Sequence, residues 1–125
     1  CIEWLNPIMV AGNWMPELLY YSKANSVLAK PGFKSKIIDL ANIPMETVDT
    51  VIIMPCGFRI ERSKNEFLKL DLRSLFNGKK VFIVDGNRYF NRPGPSVMES
   101  IDILCEILHP EIFDRRSSLE RWIEI

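Results

Sequence analysis

The chain has 125 residues, which suits a single domain with a substantial hydrophobic core. Its 16 Lys and Arg residues balance its 16 Asp and Glu residues, and no basic run occurs, so nothing in the charge pattern points to nucleic acid. Hydrophobic residues make up 47% of the chain, yet no apolar run reaches the ~18 residues of a transmembrane helix. This composition is typical of a globular protein.

The three cysteines, Cys1, Cys56 and Cys105, show neither metal-site spacing nor a C-x-x-C motif. Their odd number argues against a disulfide framework and leaves the redox compartment open. The first four residues read as a chain entered in mid-strand, and a fragment would have lost any signal peptide. Lipidation of Cys1 is an alternative, which the Ile-Glu-Trp that follows disfavours.

The beginning of the chain predicts a strand, a loop and a helix in succession. A short strand over 1–4 is followed by a loop over 5–12. Asn13 is a suitable N-cap for a helix that ends near residue 22, with Pro16 and Glu17 in its first turn. Beyond a turn-rich link, positions 36–43 fit either a strand or a short helical turn.

Two further strand-helix units complete the pattern. Positions 49–54 and 80–84 are apolar on both faces, which is typical of buried parallel strands. Helices are predicted over 59–72, with Phe67 facing the core, and over 96–108. The alternation predicts an α/β fold, a three-layer lobe with a mostly parallel sheet, over 1–111.

The tail over 112–125 is predicted to be helical and to pack on the same domain. Leu119, Trp122 and Ile123 have helical spacing, and Ser117 or Ser118 can cap the helix.

Three loops are expected to meet at one rim, because the carboxyl ends of parallel strands lie at one edge of a sheet. They cover 4–14, 55–58 and 85–95. Their aromatic faces, ringed by amide and guanidinium donors, suit a large, partly flat ligand with polar substituents. An alternative has Tyr89 and Phe90 tucked back onto the sheet. The predicted ligand-binding residues are Trp4, Asn6, Asn13, Trp14, Phe58, Asn87, Arg88, Tyr89, Phe90 and Arg92.

Cys56 supports a different hypothesis, a small cytoplasmic α/β enzyme with a cysteine nucleophile at a helix start. Such a nucleophile needs a base, and His109, the only histidine, lies at the far end of the last helix. We therefore expect no catalytic residue.

Five segments stand out because of their order along the chain. They are Glu3-Trp4-Leu5-Asn6-Pro7, Ala11-Gly12-Asn13-Trp14-Met15-Pro16-Glu17-Leu18, Met54-Pro55-Cys56-Gly57-Phe58, Asp85-Gly86-Asn87-Arg88-Tyr89-Phe90-Asn91-Arg92-Pro93-Gly94-Pro95 and Ile107-Leu108-His109-Pro110-Glu111. Together they resemble the carboxyl-terminal lobe of cobalamin-type substrate-binding proteins of ABC importers. The wider group includes iron-siderophore and haem receptors. Each segment is short, but the ordered set is specific.

The resemblance implies one lobe of a periplasmic binding protein with a helical backbone, whose ligand lies between two lobes. The implied function is the substrate-binding component of an importer for a metal chelate, foremost cobalamin or another corrinoid, with haem and ferric siderophores as alternatives. No covalently bound cofactor is implied. Tyr89 offers a ligand for iron, whereas corrinoids often need none from the protein, so no metal ligand is assigned. The implied location is periplasmic or extracellular, at the membrane through the transporter, and a cytoplasmic location stays open.

Two departures from the family pattern bear on partners. The family has Gly-Gly followed by Glu or Asp after the first helix, and this acidic residue docks on arginines of the permease; Lys23-Ala24-Asn25 stand there in this chain. The amino-terminal lobe is also absent, as in a fragment. Pairing of two copies through the exposed apolar rim is a further expectation. A transporter lobe reused as an interaction module is the remaining alternative.

Overall fold

The computed structural model describes residues 1–113 and 121–125. These residues form one sheet with the strand order β3-β2-β1-β4-β5-β6. The strands are β1 (Ile2–Leu5), β2 (Ile8–Val10), β3 (Lys36–Ile37), β4 (Thr50–Ile53), β5 (Lys80–Val84) and β6 (Trp122–Glu124). The helices are α1 (Met15–Tyr21), α2 (Ile60–Lys69), α3 (Leu72–Leu75) and α4 (Val97–Leu108).

The centre of the sheet is parallel, as predicted. β4 pairs in parallel with β1 on one side and with β5 on the other. The outer strands β2, β3 and β6 all pair antiparallel with their neighbours. The α/β prediction is therefore confirmed, with a parallel centre inside a mixed sheet.

Two hydrophobic clusters cover the two faces of the sheet and make the domain three-layered. Ile52 and Phe82 face the cluster that α1 and α4 complete. Val51 and Val81 face the cluster that α2 and α3 complete. Because side chains alternate along a strand, β4 and β5 must be apolar at successive positions, and this explains why the sequence marks both so clearly.

The loop predicted over 5–12 is wrong, because β1 and β2 form an antiparallel hairpin. Leu5 pairs with Ile8 across a two-residue turn of Asn6 and Pro7, whose peptide bond is cis. The pairing shifts register between Ile2 and Trp4, which is a β-bulge. The hairpin returns the chain to the end of the sheet where the parallel strands begin, called here the amino edge, before α1 starts.

Other boundaries also differ from the predictions. The helix predicted over 59–72 ends at Lys69, and Asp71, in the left-handed conformation at φ 50°, separates it from α3. The ambiguous segment 36–43 contains both β3 and a 3-10 turn, Leu40–Asn42. Cys105 is half-buried on α4.

The helix predicted for the tail is wrong at Trp122–Glu124, which form β6 and pair with β5. The indole of Trp122 donates to Oε2 of buried Glu106 on α4 at 3.0 Å, and Arg121 forms a salt bridge with Oε1 of the same carboxylate. These polar contacts hold β6 in place. The cap at Ser117 or Ser118 and the position of Leu119 lie outside the described residues. Among the residues described, no helix is both long and apolar enough to cross a bilayer.

Candidate functional site

Trp4 lies at the carboxyl end of β1, on the edge of the sheet where the parallel strands end. The hairpin turn fixes it there, because its indole Nε1 donates to the carbonyl oxygen of Asn6 at 3.1 Å. Its side chain is 38% exposed, which is unusual for the largest apolar residue. Trp4 and Asn6 therefore occupy the rim, as predicted.

Phe58 follows β4 and packs beside Trp4, with ring centroids 5.4 Å apart and planes tilted by 60°. The guanidinium carbon of Arg62, in the first turn of α2, lies 3.7 Å from the centroid of the Phe58 ring. This distance is typical of a cation–π contact. Trp4, Phe58 and Arg62 form a contiguous group, called here the aromatic shelf. Trp4 and Arg62 are its exposed members, whereas Phe58 is buried and supports them from below instead of facing the rim as predicted.

The loop after β5 is held tightly against the end of β4. Gly86 lies so close to the preceding loop that a Cβ atom there would be 2.5 Å from the carbonyl oxygen of Pro55. Asn91 donates from Nδ2 to the carbonyl oxygens of Met54 at 3.2 Å and Gly86 at 2.7 Å. The segment Gly86–Phe90, which precedes Asn91, forms a π-helical turn. Such turns occur often at functional sites.

A cleft of about 420 Å³ opens beside this loop, next to the aromatic shelf. Its position follows from two contacts: Arg59 directly follows Phe58, and the backbone N–H of Asn87 donates to the carbonyl oxygen of Phe58 at 3.0 Å. The cleft, called here the arginine cleft, is lined by Arg59, Asp85, Asn87, Arg88 and Arg92.

The arginine cleft has a positive excess, with three guanidinium groups against one carboxylate. Oδ1 of Asp85 already accepts the backbone N–H of Arg88 at 2.9 Å, as the N-cap of the π-helical turn. Over 1–113 and 121–125, none of the three guanidinium groups forms a salt bridge. A cleft with these properties is suited to an anionic group.

Tyr89 and Phe90 do not face the rim, so the expectation of displayed rings is wrong and the alternative is correct. They are 3% and 1% exposed and join the core cluster beneath α4. The physical reason is the π-helical turn, which points both rings inward while Asn87 and Arg88 face the cleft. Burial raises the pKa of the Tyr89 hydroxyl above its usual range, although the nearby positive charge of Arg88 acts to lower it. A buried, neutral phenol is poorly suited to ligate iron.

Asn13 and Trp14 lie at the opposite edge of the sheet, contrary to the prediction of a single rim. The backbone N–H of Ala11 donates to the carbonyl oxygen of Cys1 at 3.0 Å, which places this segment beside the start of β1. Trp14 is half-buried against the core, and the Asn13 amide donates to Ser35 Oγ at 3.4 Å. The β1–β2 hairpin causes the difference.

This amino edge also carries a larger groove, of about 820 Å³, which includes Cys1, Asn25, Lys80 and His109 in its lining. Ligands of α/β sheets bind at the carboxyl ends of parallel strands. The carboxyl edge, with its exposed tryptophan and its cluster of arginines, is therefore the stronger candidate site.

Cys56 and His109 lie far apart in the fold. Cys56 is exposed after β4 at the carboxyl edge, and its backbone N–H donates to the carbonyl oxygen of Glu3. His109 follows α4 at the amino edge, where its Nε2 lies 2.8 Å from the carbonyl oxygen of Ser22. The only histidine is thus unsuited to activate this thiol.

Sequence reasoning did not assign Arg59, Arg62 or Asp85 to the site. Arg59 and Arg62 were included in a helix, and charged residues at a helix start usually face solvent. The available signal for Arg59 and Arg62 was their position shortly after Phe58, because the first turn of a helix that follows a β-strand lies at the same edge as the loop. For Asp85 it was the position directly after the strand over 80–84.

Among the described residues, no group of three or more His, Cys, Asp or Glu side chains is placed to hold a metal ion. No family model, curated protein or solved structure matches the chain.

Proposed function

We propose that this chain is one lobe of the substrate-binding component of an ABC importer for a metal chelate, foremost a corrinoid. One observation carries the proposal: three family-like segments, which lie at the carboxyl ends of three different strands, join into one surface. Glu3 accepts from Cys56, Phe58 accepts from Asn87, and Met54 accepts from Asn91. This surface presents an exposed tryptophan beside a basic cleft, and these are groups that bind a flat ligand with acidic or amide substituents.

The backbone of Lys23 also supports the alignment with that family. Lys23 follows α1 at φ 58°, in the left-handed region that glycine adopts most readily. The family has the first glycine of Gly-Gly-Glu or Gly-Gly-Asp at this place. A lysine here is therefore a substitution in a backbone shape that favours glycine.

The same comparison bears on the permease as a partner. Asn25 is exposed beyond α1 but is neutral, where the family carries its acidic docking residue. We propose that docking on permease arginines is weakened for this chain. Asn25→Asp, tested with a permease of the family, is expected to strengthen it.

A single lobe is expected to bind weakly. A closed pocket buries roughly 70–90% of its ligand, and one lobe covers about half of that. Loss of one to two hundred Å² of apolar contact, at ~25 cal/mol per Å², weakens binding by about 3–5 kcal/mol. That is a factor of several hundred to several thousand in Kd.

Equilibrium dialysis with aquocobalamin, haem and a ferric siderophore tests the proposal, with the absorbance of each chelate as the readout. We expect saturable binding, in the micromolar range or weaker, to at least one of them. Trp4→Ala should weaken it at least tenfold, whereas Tyr20→Ala, which removes a more exposed aromatic ring on α1, should not. Nanomolar binding by a monomer would contradict the single-lobe interpretation. Absence of binding to all three at millimolar protein would contradict the function.

A further inference from the structure

We propose that the arginine cleft is an oxyanion site, which binds a phosphate or carboxylate group of the ligand while the rest of the ligand lies on the aromatic shelf. The substrate class is thereby an acidic chelate. The assignment of the ligand as a chelate rests on the proposed function, but the oxyanion site does not.

Charge is the first argument. Arg59, Arg88 and Arg92 converge on one cleft although like charges repel, and Asp85, the single carboxylate in its lining, is partly engaged by its own loop. Arg88 has a cation–π contact, 5.0 Å from the Tyr89 ring centroid, which orients the side chain but leaves its charge unbalanced. A bound oxyanion would supply the missing negative charge and accept several N–H groups at once.

Rigidity is the second argument. Arg88 belongs to the π-helical turn that Asn91 and Gly86 fasten to β4. Arg59 is the N-cap residue of α2, so the positive end of that helix dipole lies beside the cleft. Arg59 and Arg88 therefore start from fixed backbone positions, which lowers the entropy lost on binding.

Size is the third argument. A cleft of about 420 Å³ falls within the ~300–1,000 Å³ range of small-molecule sites and exceeds what a free phosphate fills. The cleft therefore has room for an oxyanion that is a substituent of a larger molecule. In the adjacent aromatic shelf, the exposed ring of Trp4 offers the apolar surface on which the remainder lies.

The first experiment needs no chelate. Inorganic phosphate and citrate are titrated into 15N-labelled protein, and the arginine Nε–H signals and the amide signal of Asn87 are followed. We expect saturable, salt-sensitive shifts at Arg59, Arg88, Arg92 and Asn87. Each of Arg59→Gln and Arg92→Gln should weaken binding about tenfold, as loss of one charged hydrogen-bonding partner predicts. Arg73→Gln, an exposed arginine on α3, is the matched control and should have no effect.

Shifts that never saturate, that spread over all surface Lys and Arg residues, or that the Gln variants leave unchanged would overturn the oxyanion site. Circular dichroism of each variant shows whether it is folded. If Arg92→Gln unfolds the chain, Arg92→Lys serves instead, because it keeps the charge but loses the bidentate geometry.

The second experiment identifies the source of the oxyanion. Haem is compared with its dimethyl ester, and cobalamin with cobinamide, which lacks the phosphodiester-linked nucleotide. The acidic member of one pair should bind about tenfold more tightly, and Arg59→Gln should abolish that difference. Equal affinities within both pairs would remove the chelate as the source. Binding of phosphate and citrate without binding of any chelate would contradict the proposed function and leave the oxyanion site standing.

Discussion

The side-chain amide of Asn91 donates to the carbonyl oxygen of Met54, 37 positions earlier in the chain. This bond joins the loop after β5 to the segment that follows β4, and it therefore supports the loop that contributes Asp85, Asn87 and Arg88 to the arginine cleft. Asn91→Ala should lower the free energy of unfolding by about 1–3 kcal/mol, because it removes a donor from a part-buried carbonyl group. Urea unfolding measures the change. Asn65→Ala, at an exposed position of α2, should change stability by less than about 0.5 kcal/mol. Equal effects of the two variants would show that the hydrogen bond from the Asn91 side chain has no structural role.

Gly86 and Gly94 bracket the same loop but differ in the space around them. A Cβ at Gly86 would meet the backbone of Met54 and Pro55 within 2.7 Å, whereas nothing lies within 4 Å of one at Gly94. Gly86→Ala should destabilise the fold by about 1–3 kcal/mol through overpacking, and should weaken phosphate binding by displacing Arg88. Gly94→Ala should leave both thermal unfolding and phosphate titration unchanged. A neutral Gly86→Ala would mean that β4 and the loop are not in close contact.

Lys23 offers a stabilising change. The C-terminus of α1 forms a Schellman motif, in which the N–H of Lys23 donates to Tyr20 and that of Ala24 to Leu19. At φ 58° a residue with a Cβ is strained, so Lys23→Gly should raise the free energy of unfolding by about 1 kcal/mol. Lys23→Ala keeps the Cβ and should not. If both variants stabilise equally, the lysine charge rather than the backbone is responsible.

Glu106 anchors β6 through two partners, Arg121 and Trp122. Glu106→Ala leaves Arg121 buried without its counter-charge, and this should destabilise the chain by about 3–5 kcal/mol. Denaturant unfolding of Glu99→Ala, at an exposed position of the same helix, is the control and should show little change. A loss below about 1 kcal/mol for Glu106→Ala would mean that water solvates Arg121 well.

The centre of the fold could be predicted because β4 and β5 are buried on both faces. Continuous apolar runs such as Val51–Ile53 leave few alternatives to a central strand. The outer strands could not be predicted from the sequence, since they have only two or three residues each and no usual turn signal. Asn6-Pro7 is not a typical hairpin dipeptide, and Trp122–Glu124 become a strand only because β5 offers an unpaired edge.

The site was predictable in position and only partly in orientation. Trp4 and Phe58 meet as expected, because both lie at the carboxyl ends of parallel strands. The inward rings of Tyr89 and Phe90 depend on a π-helical turn, whose i to i+5 bonding leaves no clear periodicity in a five-residue segment. Trp14 was misplaced for a different reason: one undetected three-residue strand, β2, carries the chain back to the amino edge of the sheet before Asn13 and Trp14.

The pairing of β6 with β5 has a consequence for synthesis on the ribosome. β5 is the most continuously apolar strand, and before residues 122–124 emerge, one whole row of its backbone N–H and C=O groups has no strand beside it. A nascent chain at that stage exposes an unpaired edge strand, which favours β-pairing with another chain. Released chains that stop before residue 122 should therefore recruit chaperones and aggregate, whereas released chains that include 122–125 should not.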